Sequence, residues 1–196
     1  MACGDVATAL RTLDAQPSLA QAALKEAATR QAAKAYDLDE IGHYLYAGDT
    51  ALHIAAAAHE PTIVRKLIAL GANIRARNRR GAEPLHYAAD GMPGSRRWDP
   101  NAQAATVASL IEGGADPNAA NNDGATPLLR AVRTRCADAV RALLDGGADV
   151  KAPNKRGSTP MQLASRNTGR GGSGSPEAKA QQDEIVRLLS ERSAAA

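Results

Sequence analysis

Four histidines, two cysteines and a surplus of arginine are the side chains here best suited to chemistry. His53 and His86 lie 33 residues apart. A histidine pair can shuttle a proton or ligate a metal, yet neither Cys-x-x-Cys nor His-Glu-x-x-His spacing occurs. Cys136 stands among basic residues, a setting that can lower a thiol's pKa, but no histidine is identifiable as its base. The plain reading is a thiol at a helix start. Gly169-Arg170-Gly171-Gly172-Ser173-Gly174 has the look of a phosphate cradle. No Lys-Ser or Lys-Thr follows it and no strand precedes it, so it reads as flexible linker. No nucleophile, base and orienting group can be named together. The expectation is therefore a protein with no catalytic residue, metal or cofactor.

Positive charge is the clearer signal. Arg75, Arg77, Arg79 and Arg80 crowd one short stretch, and Lys151, Lys155 and Arg156 another, while 118–123 between them is nearly uncharged and ends in Asp123. Arg96, Arg97 and Trp98 occupy one long connection, and Arg166 and Arg170 flank a second. Guanidinium groups pair bidentately with carboxylate or phosphate, although Asp90 and Asp99 temper the first loop. The net charge is +3 and the isoelectric point about 9.0. Single-strand readers usually add stacking aromatics. None interleave here, so nucleic acid is not the expected partner.

These groups need a scaffold, and the composition describes it. Ala alone supplies 44 of the 196 residues, and Phe is absent. With so modest a net charge, the composition points to closely packed helices with small side chains between them rather than to disorder. No stretch approaches the roughly 20 apolar residues of a membrane span. Residues 1–5 carry no basic region ahead of an apolar run, and Ala2 excludes myristoylation. The two cysteines make no disulfide framework. A reduced, cytoplasmic protein is expected, and the excess of Arg over Lys with rich Ala hints at a GC-rich bacterial gene.

Four segments begin alike: Gly48-Asp49-Thr50-Ala51-Leu52-His53, Gly81-Ala82-Glu83-Pro84-Leu85-His86, Gly124-Ala125-Thr126-Pro127-Leu128-Leu129 and Gly157-Ser158-Thr159-Pro160-Met161-Gln162. Their starts are spaced by 33, 43 and 33 residues. Gly71-Ala72-Asn73, Gly114-Ala115-Asp116 and Gly147-Ala148-Asp149 recur before the next start, each after an apolar pair. Pro84, Pro127 and Pro160 suit a first helical turn. Thr50, Thr126 and Thr159 suit its N-cap, and Gly71, Gly114 and Gly147 suit a left-handed C-terminus.

These landmarks resemble the ankyrin repeat. The resemblance implies an all-α solenoid of stacked helix-turn-helix repeats with projecting hairpin loops, here with a helical N-terminal cap. The expected units are 1–47 (cap), 48–80, 81–123 with an insertion near 90–101, 124–156, 157–192 with an insertion near 168–178, and a frayed tail at 193–196. In the cap, residues 6–13 and 19–35 look helical, with Ser18 as a cap for the second. Residues 181–192 read as the last helix. Ala55, Ala56, Ala88, Ala89 and Ala131 are expected to line the first helices, where larger side chains would overpack. Some positions depart from the pattern. Glu83 replaces a capping Thr, Leu129 and Gln162 replace His, and His59 and Arg135 stand where Gly is usual, a strained place for other residues. The resemblance gives His53 and His86 a structural role, holding loops by hydrogen bonds. His43, close to Tyr44, Tyr46 and Asp49, is placed to join a polar cluster.

Members of this family mostly bind other macromolecules through hairpin tips and first helices. The leading expectation is a non-catalytic, monomeric protein-interaction module or scaffold that meets a protein partner, one with an acidic surface among the readings. Arg77, Arg79, Arg80, Lys155 and Arg156 are the contact candidates, with exposed Ala57 and Ala58 and the polar Arg133 and Thr134 beside them. The alternative is an anionic small-molecule site, or an enzyme, in a cleft between the two insertions. That cleft would be floored by Arg135 and Cys136 and walled by Arg96, Arg97, Trp98, Arg166 and Arg170.

Overall fold

A computed structural model describes residues 5–26, 37–38, 43–93, 95–96, 98–166 and 176–195. The helices form two ranks. The inner rank is α2 (Ala51–Ala57), α4 (Pro84–Ala88), α6 (Pro127–Thr134) and α8 (Pro160–Ala164). The outer rank is α1 (Val6–Ala15), α3 (Pro61–Ala69), α5 (Pro100–Glu112), α7 (Ala137–Asp145) and α9 (Pro176–Ala195). Each helix packs on its neighbour in the same rank, and each inner helix on the outer helix that follows it.

Local chemistry explains the helix starts. Pro occupies the first turn of α4, α6 and α8, where its missing N–H costs no intrahelical bond. The Thr126 hydroxyl accepts from the Leu129 N–H, and the Thr159 hydroxyl from the Gln162 N–H. Gly71, Gly114 and Gly147 follow the outer helices at positive φ, which only glycine adopts without penalty. His59 and Arg135, at the turns between inner and outer helices, keep the left-handed conformation at φ 53° and 61°. The missing glycine has therefore not reshaped those turns.

The core lies between the ranks. Leu52, Leu85 and Leu128 from the inner helices meet Leu67, Leu110, Leu143 and Leu189 from the outer ones, all buried. Ala56, Ala88, Ala89 and Ala131 have no exposed surface. A side chain larger than methyl at these sites has no space to enter. Replacing Ala88 with Leu should cost roughly 1–3 kcal/mol, read as a lower urea midpoint. An unchanged midpoint would show that α2, α4 and α6 are not in close contact there.

Both ends differ from the sequence expectation. After α1, residues Pro17–Gln21 form a single 3-10 turn that starts at the proline. Ala22 is then extended and Ala23 bridges to Thr50. The Leu24 N–H donates to Asp49 O, and Leu24 O accepts from the Gly48 N–H. The backbone groups of 22–24 are thus spent on the first hairpin, so the helix expected from residue 19 does not form there, and Ser18 caps none. The remainder of that stretch, 27–35, lies outside the described residues. A short antiparallel pair follows, β1 (Asp37–Leu38) and β2 (His43–Tyr44). At the other end α9 begins at Pro176, not 181, and continues through the supposed tail to Ala195.

Candidate functional site

The inter-repeat loops are built by one recurring residue. Asn78 Oδ1 accepts from the N–H groups of Arg80 and Ala82. Asn121 does the same for Asp123 and Ala125, and Asn154 for Arg156 and Ser158. Each amide thereby closes a hairpin. The hairpins are also tied to one another. Arg79 N–H donates to Ala47 O at 2.8 Å, Asn122 N–H to Arg80 O at 3.0 Å, and Lys155 N–H to Asp123 O at 3.3 Å. The result is a continuous rim along one side of the inner helices.

Histidine locks the rim to the floor. His53 Nδ1 accepts the Thr50 N–H at 3.1 Å. This leaves Nε2 protonated to donate to Ala82 O at 3.1 Å. His86 repeats the arrangement, accepting from Glu83 N–H and donating to Ala125 O at 3.0 Å. Each ring joins one repeat to the next and must be neutral to do so. Burial pushes the pKa of all four histidines down, that of His86 to about 4. Beside His53, Asp49 is completely buried. It accepts from Tyr46 N–H at 2.6 Å, Asn78 Nδ2 at 2.8 Å and the Tyr87 hydroxyl at 2.9 Å. Burial, and then the Asp49 charge, raise the Tyr87 pKa. His43 stacks on the Tyr87 ring at 4.1 Å.

The opposite wall comes from the connection between α4 and α5. Asp99 caps α5 by accepting from Asn101 and Ala102. Trp98 Nε1–H donates to Gln103 Oε1 at 2.7 Å, and Gln103 Nε2 to Ala88 O at 3.0 Å. Gly91 lies against the same group. A Cβ there would fall 2.7 Å from Cys136 Sγ and 2.8 Å from Trp98 Nε1, so no side chain fits. Asp90 forms an ion pair with Arg130, lies 3.9 Å from Arg133, and accepts from His59 Nε2 through its carbonyl. The described part of this insertion is thus anchored on the inner helices.

Rim, floor and wall enclose a groove of about 1000 Å³. The inner helices that floor it have five to eight residues, hence lengths of about 8–12 Å. That brevity brings two regions separate in sequence together. Arg80, Lys155 and Arg156 of the hairpins, and Arg133 and Thr134 of α6, line the same groove as Arg96 and Trp98 of the insertion.

Other candidates fall elsewhere. Arg77 is spent on bridging, its guanidinium donating to Gly81 O and Ala120 O. Arg79 lies over the Tyr46 ring at 5.5 Å. Ala57 is buried, not exposed, and Ala58 half-buried, though both line the groove. Arg135 and Cys136 do not floor a cleft. Arg135 is 3% exposed, with both terminal guanidinium nitrogens unpartnered, and Cys136 is fully buried. Burial pushes the Cys136 thiol up to about 12, the reverse of activation. Arg166 is exposed and is not among the groove's lining residues. Arg97 and Arg170 lie outside the described residues.

Several residues were not assigned to the groove by sequence reasoning. The Asn78, Asn121 and Asn154 set follows the repeat spacing and was open to detection. Asp90 with Arg130, and the Tyr44, Tyr46 and Met92 side chains, come from positions with no shared period. Among the described residues no group of three His, Cys, Asp or Glu side chains could hold a metal, and no helix is long and apolar enough to cross a membrane.

Known proteins share this organisation. A family profile described as "Ankyrin repeats (3 copies)" matches residues 18–95, and one described as "Ankyrin repeats (many copies)" matches 110–164. The chain is 38% identical over 94 residues to E3 ubiquitin-protein ligase KEG of Arabidopsis thaliana, covering 46% of this chain and 5% of that protein. It is 34% identical over 103 residues to protein phosphatase 1 regulatory subunit 27 of Mus musculus, covering 46% of this chain and 60% of that protein. It therefore spans less than two thirds of either relative. Both halves match, and the recurring caps, asparagines and bridging histidines sit on the helix pairs that those halves form; the chain belongs to the ankyrin-repeat family.

Proposed function

We propose that this chain is a non-catalytic protein-interaction module, a cytoplasmic monomer whose groove receives an acidic surface of a partner protein. The observation that carries this is where the charge lies. Six cations line the groove (Arg80, Arg96, Arg130, Arg133, Lys155 and Arg156) against two carboxylates, Asp90 and Asp123. The groove therefore carries +4 of a whole-chain net charge of only +3, so the positive excess is concentrated there and the rest is close to neutral. A concave surface of one sign focuses the field and speeds encounter with the opposite charge. Hairpins fixed in advance leave little ordering entropy to oppose binding. Similarity to a phosphatase regulatory subunit fits a protein that acts by holding another.

The test uses wild type and the double variant Arg80→Glu, Arg156→Glu as parallel baits in lysate of the source organism, with mass spectrometry of what each retains. Both side chains are exposed, so the fold should persist. Wild type should retain an acidic partner that the variant loses and that high salt weakens. Equal retention by both baits would remove the groove from the reading. If neither bait retains a specific protein, the module itself is overturned.

A further inference from the structure

The groove is not uniformly polar. Among the described residues, the large hydrophobic side chains that stand exposed are Tyr44 (43%) and Met92 (52%). Both line the groove. They come from the two segments that lie outside the repeat pattern, Tyr44 from β2 and Met92 from the insertion. Scattered exposed apolar residues need no explanation. Here they share one concavity with the six cations, and the segment bearing Met92 is anchored through Gly91, Trp98 and Gln103 rather than hanging free.

The dimensions set the shape of the occupant. The floor between rim and insertion is one short helix wide, about 8 Å at α4 by its five residues. A globular surface would meet only the lips of so narrow a channel, whereas a single extended strand projecting from it can follow the floor. Along the other direction, Arg80 and Lys155 belong to hairpins two repeats apart. At the usual 8–10 Å between packed helices that is roughly 20 Å, which about six extended residues span at ~3.3 Å each.

We infer that the groove takes an extended acidic segment of a partner protein that carries one large apolar side chain, and that the insertion reads this side chain through Met92. This rests on the interaction-module reading and adds the kind of partner and the residues that select it. The carboxylates lie along Arg156 and along Arg80 and Lys155, which would exchange their present contacts with Asp123 and Asn122 O for the incoming charge. The apolar side chain seats on Met92 and Tyr44. Asp90 already shows what this floor accepts, since its carboxylate is held by Arg130 with Arg133 close by. The same Asp90, with Asp123, disfavours a phosphate backbone running the length of the groove.

The experiment is selection of random dodecapeptides displayed on phage against the immobilised full chain. Enriched peptides are then synthesised and measured against wild type, Met92→Ser and Lys155→Glu, Arg156→Glu. All three substituted positions are exposed, and circular dichroism melting confirms that each variant folds. The expected result is peptides rich in Asp and Glu with one large apolar residue. Met92→Ser should weaken them about tenfold, the effect of losing one buried apolar contact, and the charge reversal should do so by at least as much. Acidic peptides indifferent to Met92→Ser would overturn the role of the insertion and leave the acidic-groove reading intact. Enrichment of non-acidic peptides, or of none, would overturn the segment inference, and the lysate experiment then judges the module separately. A single-stranded oligothymidylate that binds more tightly than any selected peptide and is lost in the charge reversal would overturn it in favour of nucleic acid.

Discussion

Replacing Asp49 with Ala should remove about 3–5 kcal/mol of stability, the combined cost of stranding several buried hydrogen-bond donors. Three donors converge on this carboxylate: the Tyr46 N–H, the Asn78 amide and the Tyr87 hydroxyl. Alanine leaves them facing a void, and each unsatisfied buried group costs about 1–3 kcal/mol. Domains of this size hold only about 5–15 kcal/mol in reserve, so the loss is a large fraction of the whole. Urea unfolding followed by circular dichroism measures it. Should the variant fail to fold, Tyr87→Phe removes one donor to Asp49 and one acceptor of the Asn78 amide and should cost about 1–2 kcal/mol. A loss below about 1 kcal/mol for Asp49→Ala would show that the network is not a keystone. The network also fixes Asn78, and Asn78 closes the hairpin that carries Arg80.

Acid should unfold this protein sooner than its neutral-pH stability suggests. The sign follows from the histidines. Their pKa values fall on folding, from 6.5 to about 4 for His86 and downward for the other three, with burial the largest cause. Between those values the unfolded chain binds protons that the folded chain refuses, so stability declines as pH drops from about 6.5 toward 4. His86 alone accounts for about 3 kcal/mol across that window. Protonation would also abolish the Nδ1 acceptor that holds the Glu83 N–H.

The chain itself supplies the control. At the equivalent position of the last repeat, Gln162 Oε1 accepts the Thr159 N–H at 3.1 Å, and glutamine does not titrate. His86→Gln should flatten the loss of stability between pH 6.5 and 4.5, as read from urea midpoints at several pH values. An unaltered pH profile would exclude His86 as a source of the acid sensitivity.

The repeat was legible because its landmarks answer to local physics. A proline in a first turn, a threonine before it and a glycine after an apolar helix each report a backbone need at one position. Glu83 and Gln162 show where that legibility ends. Neither fits the signature, yet both starts are held, because the histidine or glutamine three residues on takes up the N-terminal N–H. The stretch after Ser18 misled for a different reason. Alanine favours helix wherever nothing competes, but the backbone of 22–24 is claimed by the first hairpin, a tertiary demand with no mark in the sequence.

The groove was half legible. Arg80, Lys155 and Arg156 stand out as charge runs, and Arg96 and Trp98 as a loop. Their convergence depends on the shortness of α4 and α6, and so could not be read from spacing. Cys136 looked electropositive in sequence, but the insertion folds over it, and burial raises its pKa with Asp90 and Asp138 adding to the rise.

The hairpin links also give the rim a direction. They lengthen from 2.8 to 3.0 to 3.3 Å toward the C-terminus. The bridging histidine, present at the first two junctions, is replaced at the third by Leu129, which cannot clasp the next loop. The two jaws of the groove are therefore mechanically unlike. The jaw around Asp49, Tyr87 and His43 is an anvil. The one bearing Lys155 and Arg156 is held instead by surface bonds, from the Lys155 ammonium to Asn122 O and between Asn118 and the 147–149 turn, and a partner dragged away along the stack would load those bonds first.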